Sequence, residues 1–390
     1  MKFSFDTSKV IPAFGRAIMG HGAFPGTGPS RKLALLESLI ELTRPFLVVM
    51  GIPTVGMGAF LAAGLMPSPL ALLSGVIAVV MAVSATHTFN DWVDRKRDIK
   101  VWPNRPLPAG RISAPLALLF AAALAAGSLA ITAAAFGMIA FFVLLVAEIL
   151  SFFYCVLTRD AIGRLSLPPI IAFFPLGGWA AVSPDTLFAS PLPWFLAAIV
   201  VTWQTAHTTV KMPARPLKEV DGKKRCIDKA LFFYPSPKAA AAIGFAFSVL
   251  LLIEVIVLGV MAELGLIYWL LAIPISAAMV LCSIGLLASS TDRKRAFLAF
   301  NTASLALTFI SGGVCFDLLL RMHLDGFLLW ILQASKDIIA WVELQAASLK
   351  TVAYWVVLVV AALVTLAVIG KVVKELTRKT PEPDGQASGD

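Results

Sequence analysis

The chain has 390 residues, of which 59% are hydrophobic and only 14% charged, with a formal net charge of +9 and a mean hydropathy of +0.87. That composition excludes an ordinary soluble domain and indicates an all-α, polytopic membrane protein. The positive balance then serves membrane orientation and attraction to anionic lipid and substrate, with no call for nucleic acid.

Residues 1–40 read as a cytoplasmic extension, without the short charged region, apolar core and cleavage site of a signal peptide. Apolar runs long enough to span a bilayer follow at 46–65, 69–89, 115–134, 136–157, 167–183, 193–210, 240–261, 264–287, 296–316 and 351–370. The loops between them alternate in Lys and Arg. Basic residues collect before the first run and after the second, fourth, sixth, eighth and tenth, whereas only Arg321, Lys336 and Lys350 fall on the other side. By the positive-inside rule both termini are predicted to be cytoplasmic. The stretch 324–350, with Trp330, Asp337 and Glu343 among aliphatic residues, fits a helix lying in the outer interface. Residues 318–380 therefore read as that helix plus an additional transmembrane helix, and 381–390 as a disordered tail. Cys155, Cys226, Cys282 and Cys315 have no paired spacing for a disulfide framework or zinc site.

The chemistry-bearing segment stands at the end of the second run. It reads Asn90-Asp91-Trp92-Val93-Asp94-Arg95-Lys96-Arg97-Asp98 and leads into Asn104-Arg105-Pro106-Leu107-Pro108-Ala109-Gly110-Arg111. On a helix, positions 91, 94 and 98 project three carboxylates from one face at the membrane surface. Like charges stacked this closely destabilise a helix unless cations neutralise them. Oxygen-only ligands beside several Lys and Arg suit Mg²⁺ holding a phosphate-bearing substrate.

Together with Leu42-Thr43-Arg44-Pro45 before the first run, these two motifs resemble the intramembrane prenyltransferases of the UbiA superfamily over roughly residues 40 to 317. The resemblance implies a nine-helix core at 41–317 and an extra C-terminal helix. Two Asp-rich motifs would face each other across a central cavity, hold Mg²⁺ and grip the diphosphate of an isoprenyl donor, while a lipophilic acceptor attacks the allylic carbon. Asp91, Asp94 and Asp98 would carry metal, Asn90 would orient the diphosphate, and Arg105 and Arg111 would contact phosphate oxygens. Lys211, one turn after His207, matches a family lysine that grips diphosphate. Tyr154 matches a tyrosine at the cytoplasmic end of span four, and His207 stands where the family often has tyrosine. The active site would face the cytoplasm.

The second motif departs from the family pattern. Counting from Lys211, the expected acids fall on Met212, Arg215 and Glu219. Glu219, helped by Asp221, would hold a weakened second metal, with Arg215 and Lys218 replacing the missing cation. An alternative is a non-catalytic lipid-binding protein on the same fold, and a transporter is a third reading with less support. Glu148 and Glu254 lie inside apolar runs, where an ionisable group either faces a cavity or bonds a neighbouring helix.

Overall fold

The computed structural model describes residues 31–157, 167–214, 218–220, 223–225, 237–321, 335–337 and 339–340. In chain order the helices are α1 (Arg31–Thr43), α2 (Pro45–Ala63), α3 (Pro69–Val101), α4 (Ala114–Leu157), α5 (Leu167–Ile171), α6 (Phe173–Val182), α7 (Leu192–Ala214), α8 (Pro237–Met261), α9 (Leu266–Ala288) and α10 (Arg293–Leu320). A small antiparallel hairpin, β1 (Lys218–Val220) and β2 (Lys223–Arg225), follows α7. The first nine expected runs all fall on helix. The tenth run, the outermost N-terminal residues and the tail lie outside the described residues. Among the described residues five helices are long and apolar enough to cross a membrane.

Helix starts are set by local chemistry. Ser68 accepts a hydrogen bond from the Ala71 amide ahead of Pro69, and Asp292 accepts from the amides of Lys294 and Arg295. Both are N-caps satisfying otherwise orphaned donors. The expected fifth run is not one helix. It divides at Ala172 into α5 and α6, in a stretch holding Pro168, Pro169 and Pro175, which cannot donate backbone bonds.

Length decides the shape of the next two elements. At about 1.5 Å per residue, the 33 residues of α3 extend about 50 Å, well beyond a hydrocarbon layer of about 30 Å. Its last turns, carrying Asn90 to Asp98, therefore emerge at one surface. The 44 residues of α4 would be about 66 Å long if straight, more than twice that layer. They fold back at Gly137, whose φ of 79° and ψ of −172° lie outside helical space. The proof of reversal is a hydrogen bond from the Ser128 hydroxyl to Glu148, residues 20 apart that a continuous helix would hold far from each other. The third and fourth expected runs are thus the two arms of a helical hairpin.

The bundle closes on itself. α3 packs on α4, α2 on α6, and α7 to α10 pack in succession, with α10 returning to lie against α2 and α7. One contiguous apolar core, including Met57, Leu176, Leu196, Leu251, Tyr268 and Leu307, joins these helices. Close approach of α2 and α6 requires glycine, because a Cβ at Gly178 would run into the carbonyl oxygen of Val55 and one at Gly58 into that of Pro175. On the outside, Phe142, Val146, Ile149 and Phe153 of α4 are exposed in a row. That face suits lipid; on a soluble protein it would be an aggregation liability. Asp317 of α10 accepts from the Gly265 amide at 2.8 Å and pairs with Arg321 at 2.9 Å, tying the start of α9 to the end of α10.

Candidate active site

Asp91, Asp94 and Asp98 lie on one face of α3 and are 5%, 4% and 1% exposed. Buried carboxylates need partners, and each finds a guanidinium. Arg97 bonds Asp94 at 2.7 Å and Asp98 at 3.3 Å. Arg105, from the loop after α3, places one nitrogen 2.6 Å from Asp98 and 3.3 Å from Asp91. A single cationic atom thus draws together two carboxylates that are two helical turns apart. Arg44 reaches Asp91 from the link between α1 and α2.

That link is constrained. Arg44 has φ 48° and ψ 63°, the left-handed region that a non-glycine residue rarely occupies. The conformation ends α1, lets Pro45 begin α2 and turns the Arg44 side chain toward α3. Arg105 stacks over Trp102, 5.3 Å from the ring centroid, which orients its fork toward the acids. Asn90 lies one position before Asp91, and one helical turn before it the Thr86 carbonyl accepts from the Cys155 thiol near the end of α4 at 3.7 Å. Phe89 meets Phe152 edge-on at 4.9 Å, so the end of α4 bearing Tyr154 runs alongside the last apolar turns of α3.

The remaining residues expected at the site are arranged differently. Arg111 bonds Glu41 at 2.7 Å and the Asn104 carbonyl at 2.8 Å, so its charge is engaged with α1. Burial pushes the Glu41 carboxyl above its ordinary range, and Arg111 opposes that shift. His207 is stacked between Trp203 and Phe300, each 5.1 Å away, and its Nε2 is 3.1 Å from the Ser304 hydroxyl. It therefore bridges α7 and α10. Trp203 donates to the Ala303 carbonyl at 2.7 Å, a packing role. Lys211 lies in the last turn of α7. That helix is described as far as Ala214, and Glu219 is not on it. It stands in β1, opposite Lys224 in the register. Arg215 and Asp221 lie outside the described residues.

Of the intramembrane acids, Glu148 accepts from Ser128 within the α4 hairpin. Glu254 accepts from Thr202 at 3.0 Å across α7 and α8. Both are bonded between packed helical segments, the alternative to a cavity role. Sequence reasoning missed Arg44 and Arg97 as partners of the acids. The signal for Arg97 was its i,i+3 spacing from Asp94; Arg44 had only its place in an Arg-Pro pair.

A hard divalent cation suits these residues. The donors are all oxygen, without a thiol or imidazole, and the Arg105 nitrogen already stands as a cation between Asp91 and Asp98. Among the described residues no three His, Cys, Asp or Glu side chains close around one point, and guanidinium groups stand at the carboxylate row. The guanidinium groups of Arg44, Arg97 and Arg105 are drawn on by the three aspartates, so added cation on those carboxylates favours entry of a multiply charged anion.

The UbiA prenyltransferase family model matches residues 51–306. A protoheme IX farnesyltransferase of Gloeobacter violaceus is 29% identical over 298 residues, covering 73% of this chain and 93% of that protein. Among solved structures, a digeranylgeranylglyceryl phosphate synthase superposes with a TM-score of 0.57 at 17% identity, covering 73% of this chain and 98% of that one. An apo UbiA homolog from Aeropyrum pernix K1 gives 0.56 at 22% identity, covering 70% and 98%. The chain belongs to the UbiA prenyltransferase family. It is a multi-pass integral membrane enzyme that transfers an isoprenyl group from a polyprenyl diphosphate to a lipophilic acceptor, releasing diphosphate.

Proposed function

We propose that Asp91, Asp94 and Asp98 hold Mg²⁺, that Arg44 and Arg105 meet the donor diphosphate beside them, and that Lys211 adds charge from the end of α7. The observation that carries this reading is the shared grip of Asp91 and Asp98 on the Arg105 nitrogen. When bound, the metal supplies neutralisation of the charge that grows on the departing diphosphate. Arg105 and Arg44, which stand at the carboxylates, would present planar forks suited to phosphate oxygens. Asn90 orients the diphosphate from its position beside Asp91. Arg215, Glu219 and Asp221 belong to the segment beyond α7 and supply what this chain retains of a second metal-binding motif. Tyr154 and His207 bear on the substrates from α4 and α7.

The same reading places the site at the cytoplasmic surface, with both termini on that side, from the alternation of Lys and Arg among the loops. Residues 41–317 form the prenyltransferase domain, 1–40 an extension, and 318–380 an added interfacial and transmembrane segment. Protoheme IX is the first acceptor to test, since the curated relative acts on it by name. The experiment is diphosphate release from radiolabelled farnesyl and geranylgeranyl diphosphates by purified protein, with Mg²⁺ or EDTA, against a panel of membrane-soluble acceptors including protoheme. Metal-dependent release coupled to a prenylated product supports the reading. Tight donor binding without turnover on any acceptor would overturn it.

A further inference from the structure

We infer that Glu41 and Arg111 form a strut that positions Arg44 at the acidic row, which makes both of them positioning residues for isoprenyl transfer. The inference rests on the reading of Asp91, Asp94 and Asp98 given above and concerns what holds their guanidinium partners in place.

Arg44 cannot hold its place through its own backbone preference. A left-handed arginine persists only where its surroundings over-determine it. Three contacts do so here, all on the turn immediately before it. The Arg44 amide donates to the Glu41 carbonyl at 3.3 Å, closing the end of α1. Thr88, one helical turn before Asp91 on α3, donates its hydroxyl to the Leu42 carbonyl at 3.4 Å. Leu42 itself is wholly buried with Leu35 against Ile112, Leu116 and Ala117.

The ion pair joins the same two segments as that apolar cluster. Glu41 takes the Arg111 nitrogen at 2.7 Å, and that nitrogen also bonds the Asn104 carbonyl at 2.8 Å. Asn104 precedes Arg105, the residue that grips Asp91 and Asp98. One guanidinium therefore ties the turn that launches Arg44 to the loop that launches Arg105. Two independent contacts, one apolar and one ionic, weld α1 to residues 111–117. The Arg-Pro-Leu-Pro-Ala-Gly-Arg motif accordingly divides its labour: its first arginine serves the acids, and its second fixes the geometry of the arms around them.

The test is a double-mutant cycle on the full-length protein in detergent, using Glu41→Gln and Arg111→Lys, which preserve bulk. Diphosphate release gives KM for farnesyl diphosphate, KM for the acceptor, and kcat. Each single variant is expected to lower kcat/KM for the donor by about ten- to a hundredfold, as small misplacements of positioned groups do. The double variant should be no worse than the weaker single, with acceptor KM and thermal midpoint unchanged. Additive losses, or a loss with Arg111→Lys alone while Glu41→Gln behaves as the parent, would overturn the strut and assign Arg111 directly to phosphate. Asp91→Ala runs beside them as the control on the underlying reading. If it turns over normally, the site assignment fails; if it is inactive and the cycle is additive, only the strut fails.

Discussion

Arg44 closes on Asp91 across 47 residues of sequence, from a left-handed backbone at the junction of α1 and α2. The contact joins the start of α2 with the acidic end of α3. It sets Arg44 beside the acidic row, a partnership that its Arg-Pro pair alone did not give.

Arg44→Lys tests whether the fork matters. Lysine keeps the charge but offers a point donor, so kcat/KM for the donor should fall about tenfold, with Arg44→Ala worse. Steady-state diphosphate release measures both; equal activity in the lysine variant would remove the geometric requirement.

Asp91→Ala and Asp94→Ala should each reduce turnover at least about a hundredfold while the protein stays folded, because each removes a group acting where charge develops. Fluorescence-detected size exclusion checks the fold and product formation the activity. Full activity in both would sink the assignment.

Stripping divalent metal with EDTA should abolish turnover, and Mg²⁺ should restore it. A harder readout is donor binding: because Arg44, Arg97 and Arg105 are paired to the aspartates, affinity for the diphosphate should also fall without metal. Unchanged binding in EDTA would mean that the arginines alone hold the donor.

Gly137 and Gly178 are required for different reasons, and thermal unfolding separates them. Nothing crowds a Cβ at Gly137, so Gly137→Ala costs only backbone strain, about 1–3 kcal/mol. Gly178→Ala forces apart α2 and α6 at the Val55 carbonyl and should cost more than a simple strain term. Equal, negligible effects would argue against both the hairpin and the close helix contact.

Glu148→Gln keeps an acceptor for the Ser128 hydroxyl and should leave activity and stability close to the parent. Glu148→Leu removes that acceptor and should cost about 1 kcal/mol, the scale of a hydrogen bond between membrane helices. Loss of turnover in the glutamine variant with stability intact would instead give Glu148 a proton-transfer role.

The sequence alone determined that this is a helical membrane protein, because apolar run length and the alternation of basic loops are local properties. It also determined the acidic row, since spacings of three and four on a helix fix a common face whatever packs against it. The family followed from the motifs that carry that row. Tertiary structure alone decided which cations meet the acids from outside α3. Arg44 and Arg105 reach Asp91 through a left-handed turn and a folded loop, and neither path has a periodic signature. It also gave Arg111, which the resemblance directs to phosphate oxygens, a bond to Glu41 that no local pattern shows. The α4 hairpin was legible as two apolar runs on either side of residue 136 with basic residues at their outer ends; the structure adds the place of the turn, Gly137, and the bond from Ser128 to Glu148 that joins the arms. Distance along a chain says nothing of distance in space once a single glycine reverses its direction.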